Sequence, residues 1–164
     1  MRKRKIDSDI LAFALKKLRS HLRITAVDLD EELVDKLLAA VNSAEHRIGR
    51  VIFQSSFRDT IPFSSVVCLD RPLISVDGLE VNGETISAEL YKVNLFEGTV
   101  TFSEGVTGES VKVEYTAGME QVPADIMNAI LLIASSLFSN PMDSVETLPK
   151  ASTKLLRPYR NYDR

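Results

Sequence analysis

The sequence has few of the residues from which metal sites and enzyme active sites are usually built. It contains one cysteine, Cys68, two histidines, His21 and His46, and no tryptophan. A single cysteine cannot form an internal disulfide, which suits a reducing compartment, and its apolar neighbours predict a buried, unreactive thiol. The two histidines do not have zinc-ligand spacing, so we expect both to lie at the surface or at its boundary.

Phosphate-binding and catalytic motifs are missing as well. The seven glycines form neither a P-loop nor a dinucleotide-binding fingerprint. No motif singles out a pair of carboxylates for acid–base catalysis, although two acids that are distant in sequence could meet in space. The residues alone therefore predict a non-catalytic domain, in which no catalytic residue and no metal ligand can be named.

Long apolar runs are also absent. The longest covers residues 129–134, far short of the roughly 20 residues that cross a membrane. No apolar stretch of about 7–15 residues follows the basic start Met1–Lys5, as it would in a secretory signal. We expect a protein that is assembled in the cytoplasm and has no membrane partner.

Charge is distributed unevenly along the chain. Residues 1–23 contain eight Lys and Arg against two Asp, residues 150–164 contain five against one, and residues 24–149 contain seven against twenty acids. The chain thus has basic ends and an acidic middle. This pattern could serve solubility alone, or it could let copies of the chain, or a partner, attract each other end to body. Basic ends could also meet nucleic acid, but the acidic middle would repel phosphates.

Two segments near the start have helical periodicity. Residues 7–23 and about 30–48 each carry an apolar face. Asp28 or Asp30 is a candidate cap of the second helix, and Gly49 is a natural stop.

The middle of the chain changes to a period of two. Alternating residues and turn signals predict about five or six antiparallel strands. The clearest alternation is Val111, Val113 and Tyr115. Asn82-Gly83 is a strong hairpin signal because both residues tolerate the positive φ angles of a tight turn, and Glu97-Gly98 predicts another turn.

The order of these segments predicts an α+β fold, namely a small helical bundle with an inserted antiparallel β-hairpin subdomain. In this single domain, helices in 7–50 and 120–140 form the core, residues 51–118 form the inserted β subdomain, and residues 142–164 form a C-terminal tail. The third helix, opened by Pro123, is apolar nearly all round and should be the most buried.

Four stretches in this order resemble the head–tail connector, or adaptor, family of tailed bacteriophages. They are Ala14–Ile24 followed by Leu37–Val41, Leu69–Val76 followed by Tyr91–Val93, Val113–Gly118 followed by Val122–Ile126 and Ala129–Leu132, and Lys154–Arg160. The likeness covers nearly the whole chain. It departs from the family at Leu137–Pro141, which lacks an Arg that the family often carries, and in the basic extension of the first five residues.

The resemblance implies a structural subunit of the virion at the head–tail junction. It implies a ring of about twelve copies under the portal protein. This ring would extend the DNA channel, let DNA pass without sequence-specific binding, and present a surface to a downstream head-completion or tail protein. It implies no catalysis and no cofactor.

Two groups of residues are candidate sites. In the tail, apolar residues alternate with cations that suit docking to the portal, unless the tail folds back on its own domain: Lys154, Leu155, Leu156, Arg157, Tyr159 and Arg160. We favour docking because the end of the chain reaches the portal in the family that this sequence resembles. The second group is acidic and would line the channel or its rim, where it would repel DNA phosphates, unless it only solvates a sheet: Glu80, Glu84, Glu97 and Glu104.

Two other functions stay open. The chain could be a protein-interaction adaptor that does not form rings, and solution mass would separate this function from a ring. It could also be a small hydrolase with an unrecognised carboxylate pair, which only a reproducible activity would support.

Overall fold

The computed structural model describes residues 1–25, 29–140 and 148–161. The chain divides into two compact units, a β unit of Met1–Asp7 and Gln54–Glu120 and a helical unit of Ser8–Phe53 and Gln121–Arg164. The α+β fold class is confirmed. Asp28 and part of the predicted tail, residues 142–147 and 162–164, lie outside the described residues.

The described part of the helical unit confirms the three predicted helices and adds a fourth. Its helices are α1 (Ser8–Leu22), α2 (Asp30–Ile48), α3 (Ala124–Ser139) and α4 (Lys150–Leu156), and a 3-10 turn at Arg157–Tyr159 follows α4. Helix α3 directly follows Pro123, as predicted, and buries seven residues, more than any other helix of the described chain. It is therefore the central helix of this unit.

The ends of α2 agree only in part with the sequence prediction. Gly49 terminates the helix in the left-handed conformation, with φ of 71°, and its N–H donates to the Glu45 carbonyl at 2.8 Å. The cap position at the other end is held by Leu29, without a side-chain hydrogen bond. Asp30 is the first residue of the helix rather than its cap, and its carboxylate accepts hydrogen bonds from the Arg19 guanidinium at 3.0 Å. This ion pair ties the start of α2 to α1.

The β unit contains two antiparallel sheets. The larger has the order β1 (Arg2–Ile6), β2 (Ser55–Pro62), β8 (Ser110–Ala117), β4 (Leu73–Val81) and β5 (Glu84–Thr85). The smaller has the order β3 (Val66–Cys68), β7 (Thr99–Phe102) and β6 (Tyr91–Asn94). The alternation in β8 is confirmed, since Val111, Val113 and Tyr115 are buried and form the centre of the larger sheet.

Two sequence predictions about this unit are wrong. The described residues between 51 and 118 contain seven strands rather than five or six, and residues 2–6 form an eighth. Cys68 is exposed rather than buried. Its neighbour Val67 is the buried residue of β3, and because successive side chains of a strand point to opposite faces, Cys68 lies on the outer face.

Candidate partner-binding surfaces

The tail segment that contains the predicted docking residues folds back on the helical unit. Helix α4 packs against α3, and Leu156 is fully buried. After the 3-10 turn, the Asn161 N–H donates to the Ile48 carbonyl at 2.7 Å, which fastens the chain to the end of α2. Leu156 is therefore a core residue in this conformation and is not exposed as an anchor for a partner.

The outer side of this segment forms a groove with the last turn of α2. We call it the basic groove; it has a volume of about 410 Å³ and is lined by Arg47, Thr153, Lys154, Leu156, Arg157 and Arg160. Four of these six residues are cationic, and no described acidic residue lines the groove. Such a surface favours an anionic group of a partner.

The structure brings only part of the predicted docking set together. Lys154, Leu156, Arg157 and Arg160 line the basic groove, whereas Leu155 and Tyr159 are half-buried outside it. Sequence reasoning missed Arg47, which lies on another helix. No local pattern could have identified it, because its approach to the tail depends on how α4 packs.

The four predicted channel acids lie on two different sheets. Glu80 is in β4 and half-buried, and its carboxylate accepts a hydrogen bond from Lys112 Nζ at 2.8 Å. Glu84 begins β5 and is exposed, while Glu97 and Glu104 are exposed in the turns at either end of β7. The paired charge of Glu80 is thus partly neutralised, and Glu84, Glu97 and Glu104 present their charges to solvent.

The turn between β6 and β7 carries an exposed apolar tip. Phe96 is 93% exposed and Leu95 is 49% exposed. Asn94 braces the turn, because its Oδ1 accepts the N–H groups of Phe96 and Glu97 at 3.1 Å and its Nδ2 donates to Glu97 Oε2 at 3.0 Å. We call Leu95, Phe96 and Glu97 the apolar tip. The signal in the sequence was an aromatic residue directly before a Glu-Gly turn, where polar residues are usual.

A polar network fastens the N-terminal strand to the larger sheet. The Phe57 and Tyr115 rings stack with centroids 5.0 Å apart, and the Arg2 guanidinium lies 4.6 Å from the Phe57 centroid. Tyr115 Oη lies 2.8 Å from Asp70 Oδ2 and 2.9 Å from Asp59 Oδ2, and Arg2 is ion-paired with both carboxylates. These contacts hold β1 against β2 at the edge of the sheet, although four of its five residues are cationic.

The Tyr115 hydroxyl is a hydrogen-bond donor in this network. Burial raises its pKa well above the ordinary value of a tyrosine, and the hydrogen bond and negative charge of Asp70 raise the pKa further, followed by those of Asp59. The hydroxyl therefore keeps its proton. Two carboxylates beside a phenol resemble an acid–base pair. Arg2 is ion-paired with both carboxylates, and the Tyr115 hydroxyl lies within hydrogen-bond distance of both, while the buried Asp59 Oδ1 accepts no hydrogen bond in the structure. These contacts hold β1 against the sheet.

Other candidate groups are simply placed at the surface. His21 and His46 are exposed, as predicted. Within residues 1–25, 29–140 and 148–161, no three His, Cys, Asp or Glu side chains lie close enough to hold a metal ion. In the same ranges, none of the helices has both the length and the apolar character needed to cross a membrane.

Comparison with known proteins identifies the fold. No family model and no curated protein sequence matches the chain. Among solved structures, a chain in the neck of a native gene transfer agent particle, computed with C12 symmetry, is 19% identical with a TM-score of 0.74, and one in the neck of the empty particle, computed with C6 symmetry, is 19% identical with a TM-score of 0.75. A chain of the virion of the native particle is 20% identical with a TM-score of 0.74. Each alignment covers 98% of this chain and 95% of the other. The chain therefore has the fold of proteins found in the neck of a gene transfer agent particle.

Proposed function

We propose that this protein is a structural subunit of the neck of a tailed phage or of a related particle, where a ring of its copies links the head to the tail. The proposal rests above all on one observation, which is that the fold match extends over 98% of this chain and 95% of a neck chain. Such a match includes both the β unit and the helical unit. The resemblance of the sequence to head–tail connectors supports the same function independently.

The ring is expected to contain about twelve copies and to lie under the portal protein. The neck structures that share this fold were computed with C12 and with C6 symmetry, which supports a ring of copies around an axis. Copies in such a ring contact each other head-to-tail, which means through unlike surfaces. A series of such contacts closes into a ring when the rotation between successive copies permits it. In this function the protein extends the DNA channel, passes DNA without reading its sequence, meets a downstream head-completion or tail protein, and has no catalytic role.

Docking to the portal is assigned to the outer side of the tail. Lys154, Arg157 and Arg160 are exposed there, and Leu155 and Tyr159 are half-buried beside them. Because Leu156 belongs to the core of its own unit, the apolar part of the contact falls to Leu155 and Tyr159. Arginine is well suited to the charged part, since its planar group pairs with carboxylates through two hydrogen bonds.

The exposed acids of the β unit are proposed to face the channel or its rim. Glu84 and Glu104 present negative charge, and negative charge along a channel keeps DNA phosphates from adhering. Glu97 is exposed as well, but it belongs to the apolar tip. Glu80 contributes less, because Lys112 balances it.

Native mass spectrometry of the protein mixed with its portal protein tests this function. We expect about twelve copies on each portal ring. The double variant Lys154→Glu/Arg157→Glu should lose most of this binding, whereas Lys16→Glu, which reverses an exposed cation on α1, should keep it. A single bound copy would favour the non-ring adaptor instead, and full binding by the double variant would place the docking surface elsewhere.

A further inference from the structure

We infer that the apolar tip of one copy, Leu95, Phe96 and Glu97, inserts into the basic groove of a second copy. The inference rests on the proposed ring and names the surfaces that join its subunits. It concerns two features, namely an aromatic side chain left in solvent and a groove rich in positive charge. Because Lys154, Arg157 and Arg160 of the groove are also proposed portal-docking residues, Arg47 is the cation that distinguishes this contact.

The apolar tip has the properties of an anchor. Phe96 is 93% exposed, so its own chain leaves almost the whole phenyl side chain uncovered. Asn94 holds the loop in one conformation, because its Oδ1 accepts the N–H groups of Phe96 and Glu97 and its Nδ2 donates to the Glu97 carboxylate. A rigid anchor loses little conformational entropy on binding, and buried aromatic residues contribute strongly to protein interfaces.

The basic groove matches this anchor in charge and in chemistry. Its lining contains four cations and Thr153, and Leu156 closes its floor as a fully buried core residue. The tip combines Phe96 with the Glu97 carboxylate, and Glu104 is exposed at the other end of β7. The phenyl ring of Phe96 can therefore stack on an Arg guanidinium of the groove, while the Glu97 carboxylate pairs with another of its cations.

A second copy fits this tip better than a lipid surface does. The exposed Glu97 beside Phe96 would be repelled by anionic headgroups, whereas membrane-binding apolar loops are usually flanked by cations. The tip and the groove are different surfaces of the same chain, so a contact between them is head-to-tail. Such contacts continue from copy to copy until they close into a ring.

Disulfide cross-linking tests the contact directly. In a Cys68→Ser background, which removes the exposed natural thiol, one chain carries Leu95→Cys and a second, differently tagged chain carries Thr153→Cys in the groove. Each chain has one thiol, so any disulfide must join two chains. We expect the mixed dimer to form at least about tenfold more than with Thr85→Cys, an exposed control on β5.

Charge reversal shows whether the cross-link reports the inferred contact. Adding Glu97→Arg to the first chain should lower the yield about tenfold. Adding Arg47→Glu to the second chain should then restore it. Arg47 is the suitable partner because it lines the groove but lies outside the proposed portal-docking residues. A mixed-dimer yield no higher than that of the control, or one unchanged by Glu97→Arg, would overturn the inference.

The portal experiment separates this inference from the proposed function. Phe96→Ser changes an exposed residue and should leave the fold intact, and we expect it to reduce the number of copies on each portal. If a complete ring still forms with Phe96→Ser, the inference is wrong and the proposed function stands. If the Leu95→Cys and Thr153→Cys chains cross-link as expected but the wild-type protein forms no ring on the portal, the contact exists and the proposed function is wrong.

Discussion

Replacing Leu156 by Ala tests whether the tail belongs to the helical unit. The Leu156 side chain has no exposed surface, and α4 packs against α3. Removing a fully buried leucine side chain costs about 2–5 kcal/mol, the sum of lost apolar transfer and of the cavity left behind. Because whole domains are stable by only about 5–15 kcal/mol, we expect a large decrease in the free energy of unfolding.

Urea unfolding followed by circular dichroism at the helical band measures this loss, since α1, α2, α3 and α4 all belong to the helical unit. Leu155→Ala is the matched control. Leu155 is its neighbour and only half-buried, so its loss should be clearly smaller. If Leu156→Ala lowered the free energy of unfolding by less than about 0.5 kcal/mol, within the range of ordinary surface substitutions, the tail would not be part of the core.

Three further predictions follow from the local structure. The folded state keeps the Tyr115 proton after the unfolded state has lost it near pH 10. This group therefore contributes stability that is complete below about pH 10 and decreases above it by up to about 1.4 kcal/mol per pH unit. Urea midpoints between about pH 9 and pH 11 should decline less steeply for Tyr115→Phe than for the wild type, and equal slopes would contradict the hydrogen-bonded hydroxyl. Gly98→Ala should destabilise the protein by more than the about 1–2 kcal/mol expected for a left-handed residue, because the new Cβ would lie 2.6 Å from Arg71 Cγ and 3.2 Å from the Leu69 carbonyl oxygen. Gly105→Ala is its control, since Gly105 also has a positive φ but no atom near the new Cβ, and thermal melts with equal losses would refute the steric part. Deleting residues 150–164 should reduce the helical signal and the thermal midpoint, and an unchanged midpoint would show that α4 contributes nothing to its unit.

Local features of the fold were predictable from the sequence. The period of the apolar residues identified α1, α2 and α3, and Gly49 marked the end of α2. The Asn82-Gly83 turn is confirmed, with φ angles of 52° and 87°. Each of these signals lies within a few residues of the structure that it determines, so a single sequence carries it.

Features that depend on distant residues were not predictable. Strand β1 is a run of cations without apolar alternation, and its placement comes from Phe57 and Asp70, which are remote in sequence. The tail could dock or fold back, and only the packing of α4 against α3 shows that Leu156 is buried. The sequence identified the cations of residues 154–160 that line the basic groove. It could not identify Arg47, because Arg47 reaches the groove only through the tertiary fold.

Electron cryo-microscopy of particles that contain the protein tests the central claim most directly. Labelling the protein with a fused domain at a terminus and reconstructing the junction without imposed symmetry would locate its copies. We predict a closed ring of about twelve copies between the portal and the tail, with the DNA channel through its centre. A particle that carries a single copy, or none, at the junction of head and tail would contradict the account.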